Sequence, residues 1–314
     1  MTARVVAGTA NEALALAVAG HLGAAPAACE VERFPDGELR PVVDNVRGED
    51  VYVVQPTGPP VNEHLVELLL LLDACRRAGA SRVTAVVPYF GYARQDRRFR
   101  EGQAVGARMC AEAVAAAGAD RLVVVDPHTA ALEAMCAIPV EMLTALPVLS
   151  SAIAGFVAPD AVVVAPDLGA VKLAERYAAM SARGVAVVRK TRVSGESVRA
   201  SELIGDVTGR SAVIVDDMIA TGATVEAAAA VLADHGATDV SVAATHGVLT
   251  AGAGERLATL GVDRILVTDT LAPPPAAPAA RAAAIEVCSV APLLGEAVGR
   301  LHRDEPLGAL RLAV

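Results

Sequence analysis

The sequence is poor in aromatic residues, with four tyrosines, four phenylalanines and no tryptophan among 314 residues. It also lacks any C-x-x-C pair, and its five cysteines are scattered along the chain. Buried free thiols therefore explain the cysteines better than a zinc site or a disulfide does. Long apolar runs are absent too, because charges or prolines interrupt each run before it reaches membrane-spanning length. We expect no zinc–thiolate site and no transmembrane helix.

An excess of positive charge is also missing. The chain has 27 Lys and Arg against 36 Asp and Glu, which gives a net charge of −9. General binding to nucleic acid requires many basic groups that neutralise phosphates, so we exclude it. The start of the chain shows no basic region followed by a sustained apolar core, and we therefore expect a cytoplasmic protein without a secretory signal. A small anionic ligand stays compatible with this composition if positive charge is concentrated locally.

Short apolar, β-branched stretches recur along the chain, and each is followed by a polar or turn-forming segment and then by a helical pattern. Continuous apolar strands that alternate with helices predict parallel sheets covered on both faces, and therefore the α/β class. The helical stretch 61–80 has basic residues near its end and Gly79 placed to stop it. The stretches that predict strands are 51–58, 83–92, 121–130, 161–170, 211–224, 240–250 and 264–270.

Both halves of the chain repeat the order of strand, polar loop and helix ending in "GA". At 314 residues the chain also exceeds the usual size of a single core. We therefore predict two similar domains with a boundary near 147–159. The ranges are 1–146 and 147–294, and a last segment, 295–314, is expected to pack back on the first domain.

The stretch "VVPYFGYARQDRRFREGQ", residues 86–103, concentrates half of the aromatic residues together with four arginines. Aromatic faces stack on bases and guanidinium groups bind phosphate oxygens, so the mixture suits a nucleotide. A packed turn that carries solvated arginines explains the same composition equally well. The residue types alone leave both interpretations open.

In the stretch "AVIVDDMIATGATVEAA", a predicted strand delivers Asp216 and Asp217, and a loop of small residues then leads into a helix. Backbone N–H groups of such a loop, together with the helix N-terminus, favour a phosphate. The carboxylates suit sugar hydroxyls or a magnesium ion reached through water. A strand and turn with acidic helix capping is the alternative.

This loop resembles the phosphoribosyl-binding loop shared by phosphoribosyltransferases and ribose-phosphate pyrophosphokinases. "PYFGYARQDRR" resembles the ATP-site segment of ribose-phosphate pyrophosphokinases, and further segments match that family in its order over nearly the entire chain. These segments are "RFPDGE", "PVNEHLVELLLLLDACRRAGA", "DPHTA", "PDLGA", "KTR" and "THGVL". The resemblance implies two phosphoribosyltransferase-type domains, with ATP motifs in the first and the ribose-phosphate loop in the second.

The resemblance also implies roles for individual residues. ATP contacts are implied for Phe34, Asp36, Gly37, Glu38, Arg94 and Gln95, and Mg²⁺ ligands for His128 and Asp167. Lys190 and Arg192 correspond to catalytic residues. Ribose 5-phosphate contacts are implied for Asp216, Asp217, Ala220, Thr221, Gly222, Ala223 and Thr224. Ala220 departs from the family pattern, in which many relatives have an acidic or hydroxyl residue there.

The implied reaction is transfer of the pyrophosphoryl group of Mg-ATP to ribose 5-phosphate by a homo-oligomer built from dimers, often a hexamer in the family. Two alternatives stay open at this point. A phosphoribosyltransferase shares the ribose-phosphate loop but needs neither "RFPDGE" nor "YARQDRR". A catalytically silent regulatory homologue keeps the fold, although retention of Lys190, Arg192, His128 and Asp167 argues against it.

Overall fold

Buried apolar strands alternate with helices along most of the chain. The computed structural model describes residues 1–181, 183–192, 198–250, 252–273 and 285–311, with the backbone alone described for 190–192 and 198–201. The chain divides into two compact units. The first contains the described parts of Met1–Thr144, Thr270–Ala272 and Val290–Val314, and the second those of Ala145–Asp269 and Pro273–Ser289. The domain ranges drawn from the sequence stay predictions.

The elements of the first part of the chain are β1 (Ala3–Ala7), α1 (Glu12–Leu22), β2 (Cys29–Arg33), β3 (Leu39–Val43), β4 (Asp50–Val54), α2 (Val61–Arg77), β5 (Arg82–Val87), α3 (Gly106–Ala116), β6 (Arg121–Val125), α4 (Leu132–Met135) and β7 (Val140–Leu143). The second unit contributes α5 (Leu146–Ala154), β8 (Val162–Ala165), α6 (Val171–Ser181), β9 (Gly184–Arg192), β10 (Val198–Ile204), β11 (Ala212–Ile219), α7 (Ala223–Asp234), β12 (Val240–Gly247), α8 (Ala253–Ala258), β13 (Arg264–Thr268) and β14 (Ile285–Cys288). The helix α9 (Ala291–His302) belongs to the first unit.

Each unit is built on a mainly parallel sheet. In the first, the strand order is β1-β4-β5-β6-β7, and all four pairings are parallel. In the second, the order is β10-β9-β8-β11-β12-β13-β14, in which only β10 runs antiparallel to its neighbour. The hairpin β2–β3 forms a separate antiparallel pair. The predicted α/β class with mainly parallel sheets is confirmed, because helices alternate with strands whose pairings within the two large sheets are nearly all parallel.

The predicted helices form where their apolar spacing indicates. Helix α2 buries Leu68, Leu71 and Leu72 in the core of the first unit, as its period of 3.6 requires. It ends at Arg77, and Gly79 then takes a φ of +89°, which the predicted stop requires. All five cysteines are free thiols, but only Cys75 and Cys110 are buried, so the prediction of burial is wrong for the other three.

A buried ionic network attaches α9 to the sheet of the first unit. Asp50, at the start of β4, is fully buried and accepts two hydrogen bonds from Arg82, with Nε–Oδ1 at 2.8 Å and Nη2–Oδ2 at 2.6 Å. The Tyr52 hydroxyl and the His302 Nδ1 also donate to Oδ2, at 2.8 and 2.7 Å. Arg82 reaches Asp304 at 3.0 Å as well. The network lies at the amino ends of β4 and β5, away from the edge at which ligands of parallel sheets bind.

Candidate active site

In the second unit, the loop between β11 and α7 connects a buried strand to a helix N-terminus through a left-handed glycine. Strand β11 lies between β8 and β12, and its first four residues are buried. Gly222 precedes α7 in the left-handed conformation, with a φ of +78°. An added Cβ there meets the Leu257 side chain at 3.3 Å, so both conformation and space favour glycine. The N-terminus of the twelve-residue helix α7 supplies N–H groups and partial positive charge to an anion.

Three carboxylates lie close enough at this edge for their charges to interact. Burial, followed by the charges of Asp217 and Asp167, raises the pKa of Asp216 to about 8. The Asp217 N–H donates to Asp216 Oδ1 at 2.9 Å. Asp167 comes two residues after β8, the parallel neighbour of β11, and its Oδ1 accepts from the Gly169 N–H at 2.9 Å. The fold therefore brings Asp167 and Asp216 together from positions 49 residues apart in the sequence.

These carboxylates fit a hard divalent cation. Among the residues that the structure describes, no three His, Cys, Asp or Glu side chains converge to hold a metal ion by themselves. Magnesium is usually held by one or two carboxylates, with water and substrate phosphate oxygens as the remaining ligands. Burial, and then the charges of Asp217 and Asp167, disfavour the ionised form of Asp216 and raise its pKa, and a bound cation would favour the ionised form.

In the first unit, the aromatic residues of segment 86–103 separate into two groups. Tyr89 and Phe90 follow β5 directly and are only 6% and 3% exposed, so they belong to the core. Stacking of these two rings on a base, one of the two interpretations drawn from composition, is therefore wrong. Tyr92 packs against the same core and donates through its hydroxyl to Asn62 Oδ1. Phe99, at 75% exposure, is the aromatic side chain of this segment that is free to stack.

The arginines of the same segment contrast with its buried aromatic residues. Arg94, Arg97, Arg98 and Arg100 are all exposed, and so is Gln95. They follow the carboxyl end of β5, which is the edge at which open parallel sheets bind ligands. The segment thus combines a packed aromatic turn with a row of exposed guanidinium groups. Phosphate binding by these arginines stays a prediction.

Asp96 lies among the exposed arginines and has no role among those inferred from the sequence. Its side chain is only 8% exposed, and both of its oxygens accept from Arg97, at 2.8 and 2.6 Å. The Arg97 hydrogen bonds, a further one from the Thr129 hydroxyl, and the charges of Arg97 and His128 lower the pKa of Asp96 to about 2. Asp96 therefore links the arginine segment to the loop after β6. The signal was present in the sequence, as the acidic residue within "RQDRR".

That loop presents His128 at the carboxyl end of β6. Strand β6 ends at Val125, and Asp126 adopts a φ of +37°, which is unusual for a residue other than glycine. His128 is exposed, whereas Thr129 is buried and accepts from the Ala131 N–H at 3.3 Å. The turn at Asp126 therefore places His128 on the surface, just after the end of β6.

The hairpin β2–β3 presents the residues of "RFPDGE" at its tip. The turn is closed by hydrogen bonds from Phe34 N–H to Glu38 O and from Gly37 N–H to Phe34 O, both at 2.9 Å. Asp36 Oδ1 accepts from the Glu38 N–H, and both carboxylate side chains are exposed. The Arg40 guanidinium lies over the Phe34 ring at 5.0 Å. A groove of 450 Å³ runs between the tip and α2, lined by Gly37, Glu38, Leu39, Asn62, Glu63, Val66 and Leu70.

Comparison with known proteins agrees with these features. Residues 3–118 match the family model of the N-terminal domain of ribose phosphate pyrophosphokinase, and residues 195–311 match that of the phosphoribosyl synthetase-associated domain. A ribose-phosphate pyrophosphokinase of Gloeobacter violaceus is 41% identical over 309 residues, covering 98% of this chain and 92% of the relative. One from Rhodopirellula baltica is 40% identical over 311 residues, covering 98% of both chains.

The crystal structure of phosphoribosylpyrophosphate synthetase from Mycobacterium smegmatis superimposes with a TM-score of 0.89 at 36% identity. It covers 97% of this chain and 100% of that chain. The chain belongs to the ribose-phosphate pyrophosphokinase family. The family that the sequence motifs resemble is thereby confirmed. None of the helices within the described ranges has the length and apolar character needed to cross a lipid bilayer.

The structure describes only the backbone of Lys190 and Arg192, the two residues predicted to be catalytic. Both lie near the end of β9. Lys190 pairs with Ala200 of β10, and Arg192 pairs with Val198. Their side chains lie outside the part of the chain that the structure describes. Both residues belong to the polar stretch 189–199. Antiparallel hydrogen bonding between β9 and β10 extends the strands into that polar stretch.

Proposed function

We propose that this chain transfers the pyrophosphoryl group of ATP to the 1-hydroxyl of ribose 5-phosphate, giving phosphoribosyl pyrophosphate and AMP. The observation that best supports the proposal is the loop between β11 and α7. It combines a helix N-terminus, a left-handed Gly222 and paired carboxylates in a chain 41% identical to a ribose-phosphate pyrophosphokinase over 309 residues. A phosphate and a sugar with free hydroxyls are the ligand groups that this combination suits.

Ribose 5-phosphate is assigned to the second unit. Its phosphate would accept hydrogen bonds from backbone N–H groups and hydroxyls of the loop, contributed by Ala220, Thr221, Gly222, Ala223 and Thr224. Carboxyl oxygens of Asp216 and Asp217 would accept hydrogen bonds from the ribose hydroxyls, which can donate. The burial of Asp216 makes each such hydrogen bond stronger than it would be in water.

ATP is assigned to residues of the first unit. The exposed Arg94 and Gln95 follow a strand end, and an arginine fork binds phosphate oxygens in a bidentate manner. We propose that Phe34, Asp36, Gly37 and Glu38 complete the site of a neighbouring copy in a homo-oligomer built from dimers. The exposure of both carboxylates at the hairpin tip supports this assignment. Neither nucleic acid nor a membrane is a proposed partner, and the proposed location is the cytoplasm.

Magnesium is the proposed cofactor, with His128 and Asp167 as ligands in addition to substrate phosphates and water. The oxygen-rich edge around Asp167 and Asp216 fits this ion. When bound, the ion would neutralise phosphate charge and polarise the phosphorus that is attacked. The protein side chains position the reactants and exclude water.

In the proposed step, the 1-hydroxyl oxygen of ribose 5-phosphate forms a bond to the β-phosphorus of ATP. The bond between the β-phosphorus and the oxygen that bridges to the α-phosphorus breaks, and AMP leaves with that oxygen. The hydroxyl proton passes to solvent or to a base that we do not assign. Lys190 and Arg192 are proposed to stabilise the charge that develops on the transferred group, as cations do in phosphoryl transfer.

The test is to incubate the purified protein with ATP, ribose 5-phosphate and Mg²⁺ and to quantify AMP and phosphoribosyl pyrophosphate by chromatography. Equal amounts of both products are expected, and omission of the sugar or chelation of the metal should abolish them. Binding of both substrates without AMP would identify a silent homologue. Consumption of added phosphoribosyl pyrophosphate with a nucleobase, without AMP formation from ATP, would identify a phosphoribosyltransferase.

A further inference from the structure

The ribose-phosphate loop is supported from behind by the chain that leaves β12. Strand β12 ends at Gly247, and the following residues run beside the end of β11. The Leu249 N–H donates to Ile219 O at 2.9 Å, and the Thr250 N–H donates to Ala220 O at 3.0 Å. The Thr250 hydroxyl donates to the same Ala220 oxygen at 3.2 Å. One threonine therefore supplies both hydrogen bonds to the first carbonyl of the loop.

Fixing this carbonyl also fixes an N–H group of the loop. The C=O of Ala220 and the N–H of Thr221 belong to one planar trans peptide, in which the two groups point in opposite directions. Two donors on the Ala220 oxygen thus hold the Thr221 N–H on the opposite side, away from Thr250. A site for an oxyanion depends on such preset donor directions, because a group that must reorient on binding reduces affinity.

The geometry of the supporting segment is itself constrained. Leu249 adopts a φ of +41°, which is rare for a residue with a branched, bulky side chain. The hydrogen bond from its N–H to Ile219 O offsets part of that strain. Helix α8 follows, and its Leu257 side chain packs against the Gly222 position. The segment is therefore held in place on both sides of Thr250.

We propose that Thr250 is a positioning residue for ribose 5-phosphate, acting through the Ala220–Thr221 peptide without contact to the ligand. The inference rests on the proposed function, since it assumes that this loop binds the sugar phosphate. Loss of the hydroxyl should weaken ribose 5-phosphate binding about two- to tenfold, the scale of one hydrogen bond. ATP binding should be unaffected, because the threonine acts on one loop only.

The test compares Thr250→Val, which keeps shape and the backbone N–H, with Thr250→Ser, which keeps both donors. Thr259→Val is the matched control, since its hydroxyl also donates to a backbone carbonyl, Arg256 O at 2.8 Å, but not to the loop. Ribose 5-phosphate Kd is measured by calorimetry, together with KM for each substrate. We expect a two- to tenfold rise in Kd and in KM for ribose 5-phosphate in Thr250→Val alone, with ATP KM unchanged.

Wild-type affinity in Thr250→Val would overturn the inference, as would equal losses in Thr250→Ser or Thr259→Val, or a parallel rise in ATP KM. Thermal unfolding of each variant separates loss of fold from loss of positioning, and Thr250→Ala replaces the valine variant if that one does not fold. If the wild-type protein itself binds no ribose 5-phosphate, the proposed function fails, which is a distinguishable result.

Discussion

Replacing Asp50 with asparagine removes the negative charge to which Arg82, Tyr52 and His302 are hydrogen-bonded. Removing one partner of a buried ion pair usually lowers the free energy of unfolding by about 3–5 kcal/mol, because the remaining charge is left without compensation. The Arg82 side chain is 22% exposed, so water compensates in part and the lower end, about 3 kcal/mol, is expected. Since 1.4 kcal/mol corresponds to a tenfold change, opening of this region should become over a hundredfold more frequent.

Hydrogen exchange measured by mass spectrometry is the appropriate assay, because a chain with two units does not unfold in a single transition. Peptides from α9 and β4 report on the network, and peptides from β11 and β12 in the second unit are the internal reference. Exchange in α9 should accelerate over a hundredfold in Asp50→Asn, while the reference peptides should change little. The matched control is Asp304→Asn, which removes the exposed partner of the same arginine.

Asp304 is 79% exposed, so its pair with Arg82 is weak, and Asp304→Asn should accelerate exchange at most about fivefold. Equal effects of the two substitutions, or an effect of Asp50→Asn below fivefold, would refute the reasoning. In that case the attraction between Asp50 and Arg82 would only offset the free energy that is lost when the two charges are removed from water.

Four further predictions concern pH and the proposed site. Burial alone would raise the pKa of Asp50, but the hydrogen bonds from Arg82, His302 and Tyr52 outweigh it and lower that pKa, so the unfolded state binds more protons. This stabilisation is complete above about pH 4 and is lost below it, and acid titration should destabilise the wild type more steeply than Asp50→Asn. Lys190→Ala should lower kcat at least about a hundredfold and change each KM less, in steady-state assays; near-normal turnover would remove Lys190 from the mechanism. Mixing inactive Glu38→Ala and Lys190→Ala proteins should restore some activity if copies share sites, and no recovery after verified subunit exchange would argue against sharing. Ala220→Asp should tighten ribose 5-phosphate binding about two- to tenfold with kcat nearly unchanged, whereas severe weakening would show that the new carboxylate repels the phosphate.

Local features of the sequence were sufficient to predict the class of fold and the strand, loop and helix around Gly222. Apolar strands, helical spacing in α2 and the stop at Gly79 each depend on residues within a few positions of one another. The loop at Gly222 is local as well, because a strand, a small-residue turn and a helix N-terminus are consecutive in the chain. Periodicity and turn chemistry therefore determine these features before any tertiary contact forms.

Composition could not distinguish buried aromatic residues from exposed ones in segment 86–103. Tyr89 and Phe90 have the same chemistry as Phe99, yet the first two lie in the core and the third is exposed. The difference follows from their position directly after β5, where the side chains are still buried. The sequence likewise marked Asp96 as one more charged residue, although its partner loop after β6 lies 30 residues further along.

The sequence by itself thus determined the elements, the motifs and the family, because these depend on short stretches and their order. Only the tertiary structure decided which strands are neighbours. The order of the strands brings Asp167 close to Asp216 and so contributes to the raised pKa of Asp216. It also places Thr250 against the Ala220 carbonyl. It also returns α9 to the first unit through Asp50 and His302, which are 252 positions apart. Hydrogen bonds and charge interactions depend on distance in space, which the order of residues does not specify until the sheets have formed.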